Sequence, residues 1–372
     1  MNYLKRERQT LDKYMPGLDA ALAELPLAHL ESSNSTGIEL FRQFGGAALT
    51  VPGLYGGKDA GPVEMIDIQR ALASRSPSLA VASNMHTCTV VAVPPCDETA
   101  SLLRDIAENQ RLLASGFADG QVGNSILSPK MNAVRVSGGW RLSGQKKPCS
   151  LSRSMSFLTA SVLIRRPGRD DLELALVTIP RDAPGLRVEP FGNGVVFEGT
   201  ENGIVTLDSV LVPDELVAFF GDRNQVNEAI LKAFLWFEVF VTAAYLGVAS
   251  ALVERVLVHK KGNANDRLGI VSDTEGSMAA LHSVAVRITA TGGASPEWLV
   301  ATALHVRFLV QHSIERVCER ATELLGGMAY LSTAEPVLLL ASARALAFHP
   351  PSRISIADAL DNYMAGQALI VP

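Results

Sequence analysis

The chain has 372 residues, of which 48% are hydrophobic and 19% are charged, so it can bury at least one large core. Its formal net charge is -5 and no run of like charges stands out, which argues against a surface that binds nucleic acid. The four cysteines lie without CxxC spacing, which argues against a zinc site and against a disulfide scaffold.

Two segments bear on the location of the protein in the cell. Residues 1–8 are charged, and no apolar stretch typical of a signal peptide follows them. The most apolar segment, residues 233–253, contains Glu238, which is typical of a buried helix and not of a membrane span. We therefore expect a cytoplasmic protein with no membrane partner and no nucleic-acid partner.

The first predicted unit, residues 1–112, is helical. Apolar residues recur at helical spacing over residues 4–25, 37–44 and 63–74. Proline and glycine residues punctuate the loop between the last two of these segments. The sequence thus predicts an N-terminal helical domain.

In the second predicted unit, residues 113–222, short runs of alternating hydrophobicity replace the helical spacing. Five runs have the composition of β-strands: residues 134–136, 140–142, 156–164, 172–179 and 203–212. Ser137, Gly138 and Gly139 separate the first two runs and predict a hairpin. We expect a central β domain, either a barrel or a sandwich.

The third predicted unit, residues 223–372, is helical again. Its long amphipathic stretches are residues 225–261, 274–292, 296–325, 334–347 and 353–365. Antiparallel helices of this length, joined by short loops, predict a C-terminal four-helix bundle. The predicted fold class is therefore α+β, with helices, a β domain and a helical bundle in that order.

Four segments carry a resemblance to a known family, and they occur in the family's order. They are LTVPGLYGG at 49–57, GGWRLSGQK at 138–146, LDSVLVP at 207–213 and ELLGGMAY at 323–330. With these segments the chain resembles the acyl-CoA dehydrogenase family over nearly its whole length. The resemblance implies the three-part fold, FAD as the cofactor, and a homodimer or homotetramer whose FAD sites are built across subunits.

The resemblance also implies which residues surround the flavin ring. The backbone N–H groups of Phe117 and Ala118 would contact the flavin carbonyls, although Ala118 replaces a threonine that is common in the family. Ser150 keeps a hydroxyl where the family usually contacts flavin N5, whereas Pro148 replaces the usual tryptophan. The ring would lie between the β domain and the C-terminal helices.

A second set of residues would hold the pyrophosphate of a neighbouring subunit's FAD. The family uses a Gln-x-x-Gly-Gly turn, and here Glu323 stands in the glutamine position before Gly326 and Gly327. Backbone donors at the two glycines suit an anion, but an ionised Glu323 cannot donate as a glutamine does. Arg267 lies two positions away from the family's pyrophosphate-binding arginine. Helix capping is the alternative explanation for the glycine pair.

The base that removes a proton in the common dehydrogenases is missing, because its position falls on Pro351. Glu238 is one substitute, since burial of a carboxylate among apolar residues tunes it for proton abstraction. Its alternative is an ion pair or an interface residue. His349 is the second substitute. Its segment resembles that of flavin monooxygenases with the same fold, in which a histidine assists oxygen chemistry. Its alternative is helix capping before Pro350.

The substrate cavity is expected to include two further residues. His86 falls in the N-terminal region that lines the cavity in the family, and its alternative is a hydrogen-bonded core histidine. Asn124 lies in the loop that the resemblance places over the flavin.

The function that the resemblance implies is FAD-dependent α,β-dehydrogenation of an acyl thioester, an oxidation of a CH–CH donor. The acyl group would be carried by CoA or by an acyl-carrier protein, and the sequence does not identify the electron acceptor. The missing base motivates two alternatives. One is a flavin-dependent monooxygenase on the same fold, and the other is a non-catalytic flavin-binding or assembly protein.

Overall fold

A computed structural model describes residues 1–120, 129–166, 168, 171–192, 194–222, 228–292 and 294–370. Within these residues, seven helices precede the first of eight strands, and six helices follow the last strand. This is the predicted order of helices, sheet and helices. One apolar core runs through all three segments, so their boundaries in sequence do not divide the core.

Two of the seven N-terminal helices, Pro62–Arg75 and Pro77–Ala92, are almost entirely buried. The helices are α1 (Lys5–Tyr14), α2 (Leu18–Ala23), α3 (Leu27–Leu30), α4 (Gly37–Gln43), α5 (Pro62–Arg75), α6 (Pro77–Ala92) and α7 (Ala100–Asn109). Helices α5 and α6 both begin with proline, which suits a first helical turn. The Ser76 hydroxyl accepts the N–H of Leu79 at 3.1 Å and caps α6.

The β segment forms two four-stranded sheets. The strands are β1 (Leu113–Gly116), β2 (Asn132–Val136), β3 (Gly139–Cys149), β4 (Phe157–Ile164), β5 (Glu173–Pro180), β6 (Leu186–Pro190), β7 (Gly203–Pro213) and β8 (Val217–Asp222). The strand orders are β1-β4-β5-β8 and β2-β3-β7-β6. Strand β1 runs parallel to β4, and every other pair in these sheets is antiparallel.

The sheets agree with the sequence patterns only in part. Val136 pairs with Gly139, so Ser137 and Gly138 form a two-residue turn, and the predicted hairpin is confirmed. Gly138 has φ 76, a value that glycine adopts readily. Strands β1, β6 and β8 were not predicted. Strand β1 has four residues and ends in glycine, and β6 ends in proline, so neither has a strong strand composition.

The C-terminal helices are three long ones and three short ones. They are α8 (Glu228–Val258), α9 (Ala264–Ala290), α10 (Glu297–Leu325), α11 (Gly327–Ser332), α12 (Glu335–Ala343) and α13 (Arg353–Met364). The helix predicted to begin at residue 274 begins at Ala264, because Asn263 and Asp266 form a reciprocal capping box with two 3.0 Å bonds. The helix predicted over 334–347 ends at Ala343 and continues as a tighter 3-10 turn, Arg344–Phe348.

Helix α8 is the centre of the structure. It packs against α5 and α6 of the N-terminal helices and against α9, α10 and α12 of the C-terminal helices. By length and composition α8 could cross a bilayer, but 89% of its most apolar window is buried inside the protein, as expected for a core helix.

A fully buried arginine joins the N-terminal and C-terminal helices. Arg70 on α5 donates to Glu7 of α1 at 2.8 Å, to Ser250 of α8 at 3.0 Å and to Glu275 of α9 at 2.7 Å. Four helices therefore share one cation, and its burial is compensated by two carboxylates.

Helices α5 and α8 approach each other closely at Gly247. A Cβ atom at this position would lie 2.4 Å from the carbonyl oxygen of Arg70 and 2.7 Å from Cβ of Ala73. The obstacle is helical backbone, which cannot move aside as a flexible side chain can. The contact therefore requires glycine.

We expect Gly247→Ala to lower the free energy of unfolding by about 1–3 kcal/mol, because the two helices must separate. The control is Gly276→Ala in α9, where an added Cβ meets nothing within 4 Å. The control should raise the free energy of unfolding by about 0.5–1 kcal/mol through helix propensity. Urea unfolding followed by circular dichroism measures both. Equal effects of the two substitutions would show that the α5–α8 contact is not restrictive.

Candidate functional site

The ends of strands β1 and β3 lie side by side. The N–H of Lys147 donates to the carbonyl oxygen of Ala118 at 2.9 Å, just beyond the end of β1. Ser150, which follows β3, donates its hydroxyl to Oδ1 of Asn202 at 2.8 Å. Phe117, Ala118 and Ser150, predicted to surround a flavin ring, are therefore close together, and each is partly exposed.

A buried ion pair holds the residues that follow β1. Nζ of the fully buried Lys146 donates to Oδ1 of Asp119 at 2.7 Å. Burial lowers the pKa of Lys146, and the charge of Asp119 opposes this shift. Asn124, predicted to contact the substrate, lies in the segment 121–128, which is outside the described residues.

An aromatic cluster connects these strand ends to the C-terminal helices. It consists of Phe197, Phe237, Tyr245 and His349. The ring centroids of Phe197 and Tyr245 lie 6.0 Å apart, those of Tyr245 and His349 5.4 Å apart, and those of Phe237 and His349 6.0 Å apart. Phe197 precedes a short turn in which the carbonyl oxygen of Thr200 accepts the N–H of Leu151 at 2.9 Å. The aromatic cluster is thereby tied to the end of β3.

His349 lies directly after the 3-10 turn Arg344–Phe348. Its ring Nε2 is 2.8 Å from the hydroxyl of Tyr245, and its side chain is partly exposed. Burial, and to a smaller extent the charge of Arg307, lowers the pKa of His349 to about 3. The ring is therefore neutral at pH 7 and able to form one donor and one acceptor bond.

Glu238 forms a buried ion pair with Arg307. Both side chains are 1% exposed, and Nη1 of Arg307 lies 2.5 Å from Oε2 of Glu238. Nη2 of the same guanidinium donates to the carbonyl oxygens of Leu346 at 3.1 Å and of His349 at 2.6 Å. Arg307 thus holds the backbone that carries His349 and uses Glu238 as its counter-ion.

This geometry bears on the predicted catalytic role of Glu238. Burial raises the pKa of Glu238 to about 7, and Arg307 opposes the shift. A general base must come within hydrogen-bonding reach of the proton it removes. Oε2 of Glu238 is paired with Arg307, while Oε1 is buried without a hydrogen-bond partner among the described residues. The ion pair that was the alternative explanation for Glu238 is therefore present.

His86 is fully buried in α6. Its Nε2 lies 3.0 Å from the carbonyl oxygen of Ala47, and its Nδ1 lies 3.0 Å from the backbone nitrogen of Leu113. Since a carbonyl only accepts and an N–H only donates, the ring carries its proton on Nε2 and both nitrogens are satisfied. Burial lowers the pKa of His86 to about 4. This is the geometry of a core histidine, and it leaves no ring nitrogen for a substrate.

The residues predicted to hold a pyrophosphate gather at a different place. Arg320 donates to Asp266 at 2.6 Å and to Glu323 at 2.8 Å, so the start of α9 and the end of α10 meet. Gly326 and Gly327 follow and line a surface groove of about 940 Å³. An added Cβ at either glycine would meet nothing within 4 Å.

Several of the predicted pyrophosphate donors already have partners. The N–H of Gly326 donates to the carbonyl oxygen of Thr322 at 3.2 Å, which corrects the prediction that this donor serves a ligand. Nη1 of Arg267 donates to the carbonyl oxygens of residues 260, 261 and 262. The charged side chains that line the groove are of both signs: Glu315, Glu319, Glu323, Arg316 and Arg344.

Sequence reasoning missed Tyr245, Arg307 and Phe197. Tyr245 and Arg307 lie inside predicted helices, where apolar spacing indicates burial but not a polar partner. A charged residue on the buried face of a helix is a signal that would have singled out Arg307. Phe197 lies in an irregular segment, and no local pattern indicates its contact with Tyr245.

Comparison with known proteins places the chain in a family. No family model matches it. The solved structure of KijD3 in complex with FMN and dTDP-3-amino-2,3,6-trideoxy-4-keto-3-methyl-D-glucose superposes with a TM-score of 0.82 at 18% identity, covering 97% of this chain and 94% of that one. The putative acyl-CoA dehydrogenase YdbM of Bacillus subtilis is 21% identical over 225 residues, which are 58% of this chain and 55% of YdbM.

Isobutylamine N-hydroxylase of Streptomyces viridifaciens is 38% identical over 380 residues, covering 99% of this chain and 100% of that enzyme. The chain belongs to the acyl-CoA dehydrogenase-like family that includes this enzyme. The predicted family, with its flavin monooxygenase branch, is thereby confirmed. The N-hydroxylase fits the monooxygenase alternative better than it fits dehydrogenation of an acyl thioester.

We expect His86 to make the protein less stable as the pH falls. The unfolded chain binds a proton near pH 6.5, whereas folded His86 stays neutral down to about pH 4. Its contribution to the free energy of unfolding therefore falls by about 3 kcal/mol across this window and levels off below it.

Chemical unfolding of the wild type and of His86→Gln at several pH values measures this contribution. Glutamine does not titrate, so the difference between the two proteins should change between pH 6.5 and 4. The exposed His259, replaced in the same way, serves as the control. A pH-independent difference for His86→Gln contradicts the prediction.

The ion pair of Glu238 and Arg307 gives a second stability prediction. Arg307→Met should lower the free energy of unfolding by about 3–5 kcal/mol, because it leaves a buried carboxylate without a counter-ion. The double variant Glu238→Gln, Arg307→Met should recover part of this loss. The single variant Glu238→Gln completes the cycle, and urea unfolding measures all three variants. A double variant that loses the sum of the two single losses would show that the side chains are not coupled.

Proposed function

We propose that the protein is a flavin-dependent monooxygenase that N-hydroxylates a small aliphatic primary amine. One observation carries the reaction class. The position of the dehydrogenase base is Pro351, Oε2 of Glu238 is paired with Arg307, and the neutral ring of His349 is partly exposed in the aromatic cluster. Similarity to isobutylamine N-hydroxylase along the whole chain also supports N-hydroxylation.

The residues at the ends of β1 and β3 fit the ring of a flavin. Phe117 and Ala118 would offer backbone N–H groups to flavin carbonyls. Ser150 donates its O–H to Asn202, so its oxygen would serve as an acceptor for a ring N–H of the reduced flavin. A bound reduced flavin supplies the two electrons with which one atom of O₂ enters the substrate and the other becomes water. A primary amine, O₂ and reduced flavin then give a hydroxylamine, water and oxidised flavin, which balances atoms and electrons.

The groove at Gly326 and Gly327 favours FMN over the FAD predicted from sequence. A pyrophosphate needs free donors and a positive surface. Here the N–H of Gly326 and Nη1 of Arg267 already have acceptors, and three glutamates line the groove. A flavin with a single phosphate does not require this groove. The related KijD3 structure also contains FMN.

The substrate side of the site is apolar. Met85 is partly exposed in the middle of α6, a helix that is otherwise almost entirely buried. Helix α6 contacts both β1 and α8. Phe237 of α8 is also partly exposed and contacts His349. Such walls suit a short alkyl chain, and they favour the neutral amine, whose lone pair reacts.

His349 is the residue that we assign to the reacting atoms. Its neutral ring offers a hydrogen bond at pH 7, and its backbone is held by Arg307. Phe237 and Tyr245 pack against the ring and restrict its orientation. A positioned hydrogen-bond donor of this kind contributes on the order of 10²–10³-fold to a reaction in which charge develops on oxygen.

The proposal is tested by supplying the protein with O₂ and with FMN kept reduced by a separate reductase. We expect isobutylamine and similar short primary amines to give hydroxylamines whose oxygen comes from ¹⁸O₂. Reduced FAD should support less turnover than reduced FMN. His349→Ala should lower kcat on the order of 100-fold.

The matched control is His259→Ala, which removes an exposed histidine at the end of α8 and should leave kcat unchanged. A panel of acyl thioesters incubated with the flavin-loaded protein tests the dehydrogenase alternative. Reduction of the flavin by a thioester, with no hydroxylamine from any amine, would overturn the proposal. A protein that binds flavin but turns over neither class would support the non-catalytic alternative.

A further inference from the structure

The hydroxyl of Tyr245 is buried beside His349. The Tyr245 side chain is 1% exposed on α8, and its hydroxyl lies 2.8 Å from Nε2 of His349. Among the described residues, this is the one hydrogen-bond partner that the hydroxyl has. The contact joins residues that are 104 positions apart in sequence.

We infer that Tyr245 fixes the imidazole of His349 in the tautomer that carries its proton on Nδ1. This inference rests on the proposed function, because the tautomer of His349 matters for catalysis only if His349 acts in that reaction. Tyr245 is then a positioning residue that acts through His349. The tautomer does not follow from the residue types alone, because a neutral imidazole can carry its proton on either nitrogen.

Two directions are possible for the hydrogen bond between Tyr245 and His349, and they differ in which donor is left without an acceptor. If Nε2 carried the proton, it would donate to the tyrosine oxygen, and the tyrosine O–H would then need another acceptor. No such acceptor is present in the described part of the chain. If the tyrosine O–H donates to Nε2 instead, the buried hydroxyl is satisfied, and the ring proton must lie on Nδ1.

The surrounding charges keep the ring in this neutral state. Arg307 directs its guanidinium at Glu238 and at the backbone carbonyl of His349, so it does not compete for the ring nitrogens. Its positive charge opposes protonation of the ring, as does burial. Burial also raises the pKa of Tyr245, which keeps the phenol in its donor form.

In this tautomer His349 offers the N–H of Nδ1 as a hydrogen-bond donor to a ligand in the site. Nδ1 has no hydrogen-bond partner within the described ranges, and the side chain is partly exposed beside Phe237. An N–H at this position stabilises negative charge that develops on oxygen as O₂ is reduced. The opposite tautomer would present a lone pair to the same atom and would repel it.

The direct test is the ¹⁵N spectrum of the flavin-loaded protein labelled at histidine, with the His349 signals assigned by comparison with His349→Asn. We expect a protonated Nδ1 and an unprotonated Nε2 at pH 7. In Tyr245→Phe, which keeps the ring and loses the hydroxyl, this preference should disappear. The value of kcat for amine hydroxylation should fall about 10-fold while KM stays roughly constant.

The control is Tyr3→Phe, which removes a hydroxyl that bonds to Thr274 at 3.0 Å, outside the aromatic cluster. It should leave both the His349 spectrum and kcat unchanged. A wild-type spectrum with the proton on Nε2, or one that Tyr245→Phe leaves unaltered, overturns the inference. Because the spectrum does not depend on turnover, it distinguishes this failure from a failure of the proposed function.

Discussion

Helix α8 is enclosed by five other helices, so a polar side chain on it gains by finding a partner inside the protein. Among the described residues, Trp236 Nε1 and Oε1 of Glu238 are buried without one. Leaving one such group unpaired costs about 1–3 kcal/mol, and more for a charge. Thr242 finds its partner within α8, because its hydroxyl donates to the carbonyl oxygen of Glu238. Glu238, Tyr245 and Ser250 find partners in other parts of the chain: Arg307, His349 and Arg70. These three contacts hold the N-terminal helices and the C-terminal turn against α8.

The candidate site is a product of the same constraint. Arg307 is buried as the counter-ion of Glu238, and its remaining donors bind the carbonyl oxygens around His349. The residue that neutralises the core thus also shapes the turn that presents the imidazole. The carboxylate of Glu238 therefore has a structural role in this part of the protein, as the counter-ion of Arg307.

Features that depend on local chemistry could be predicted from the sequence. The hairpin at Ser137 and Gly138 and the order of helices and strands follow from spacing and turn residues. Strand β1 could not be predicted, because its four residues become a strand only by pairing with β4. His349 was identified from the sequence as a candidate site residue, whereas its partner Tyr245 was not, since a tyrosine in an apolar helix gives no indication of what its hydroxyl contacts.

The sequence by itself determined the family and the approximate fold, because both follow from short segments and their order. It left Glu238, His86 and His349 each with two explanations. Only the tertiary structure shows their partners, which are Arg307 for Glu238, Ala47 and Leu113 for His86, and Tyr245 for His349. The physical reason is that a buried polar group takes its role from its partner, and these partners lie from 27 to 104 positions away along the chain.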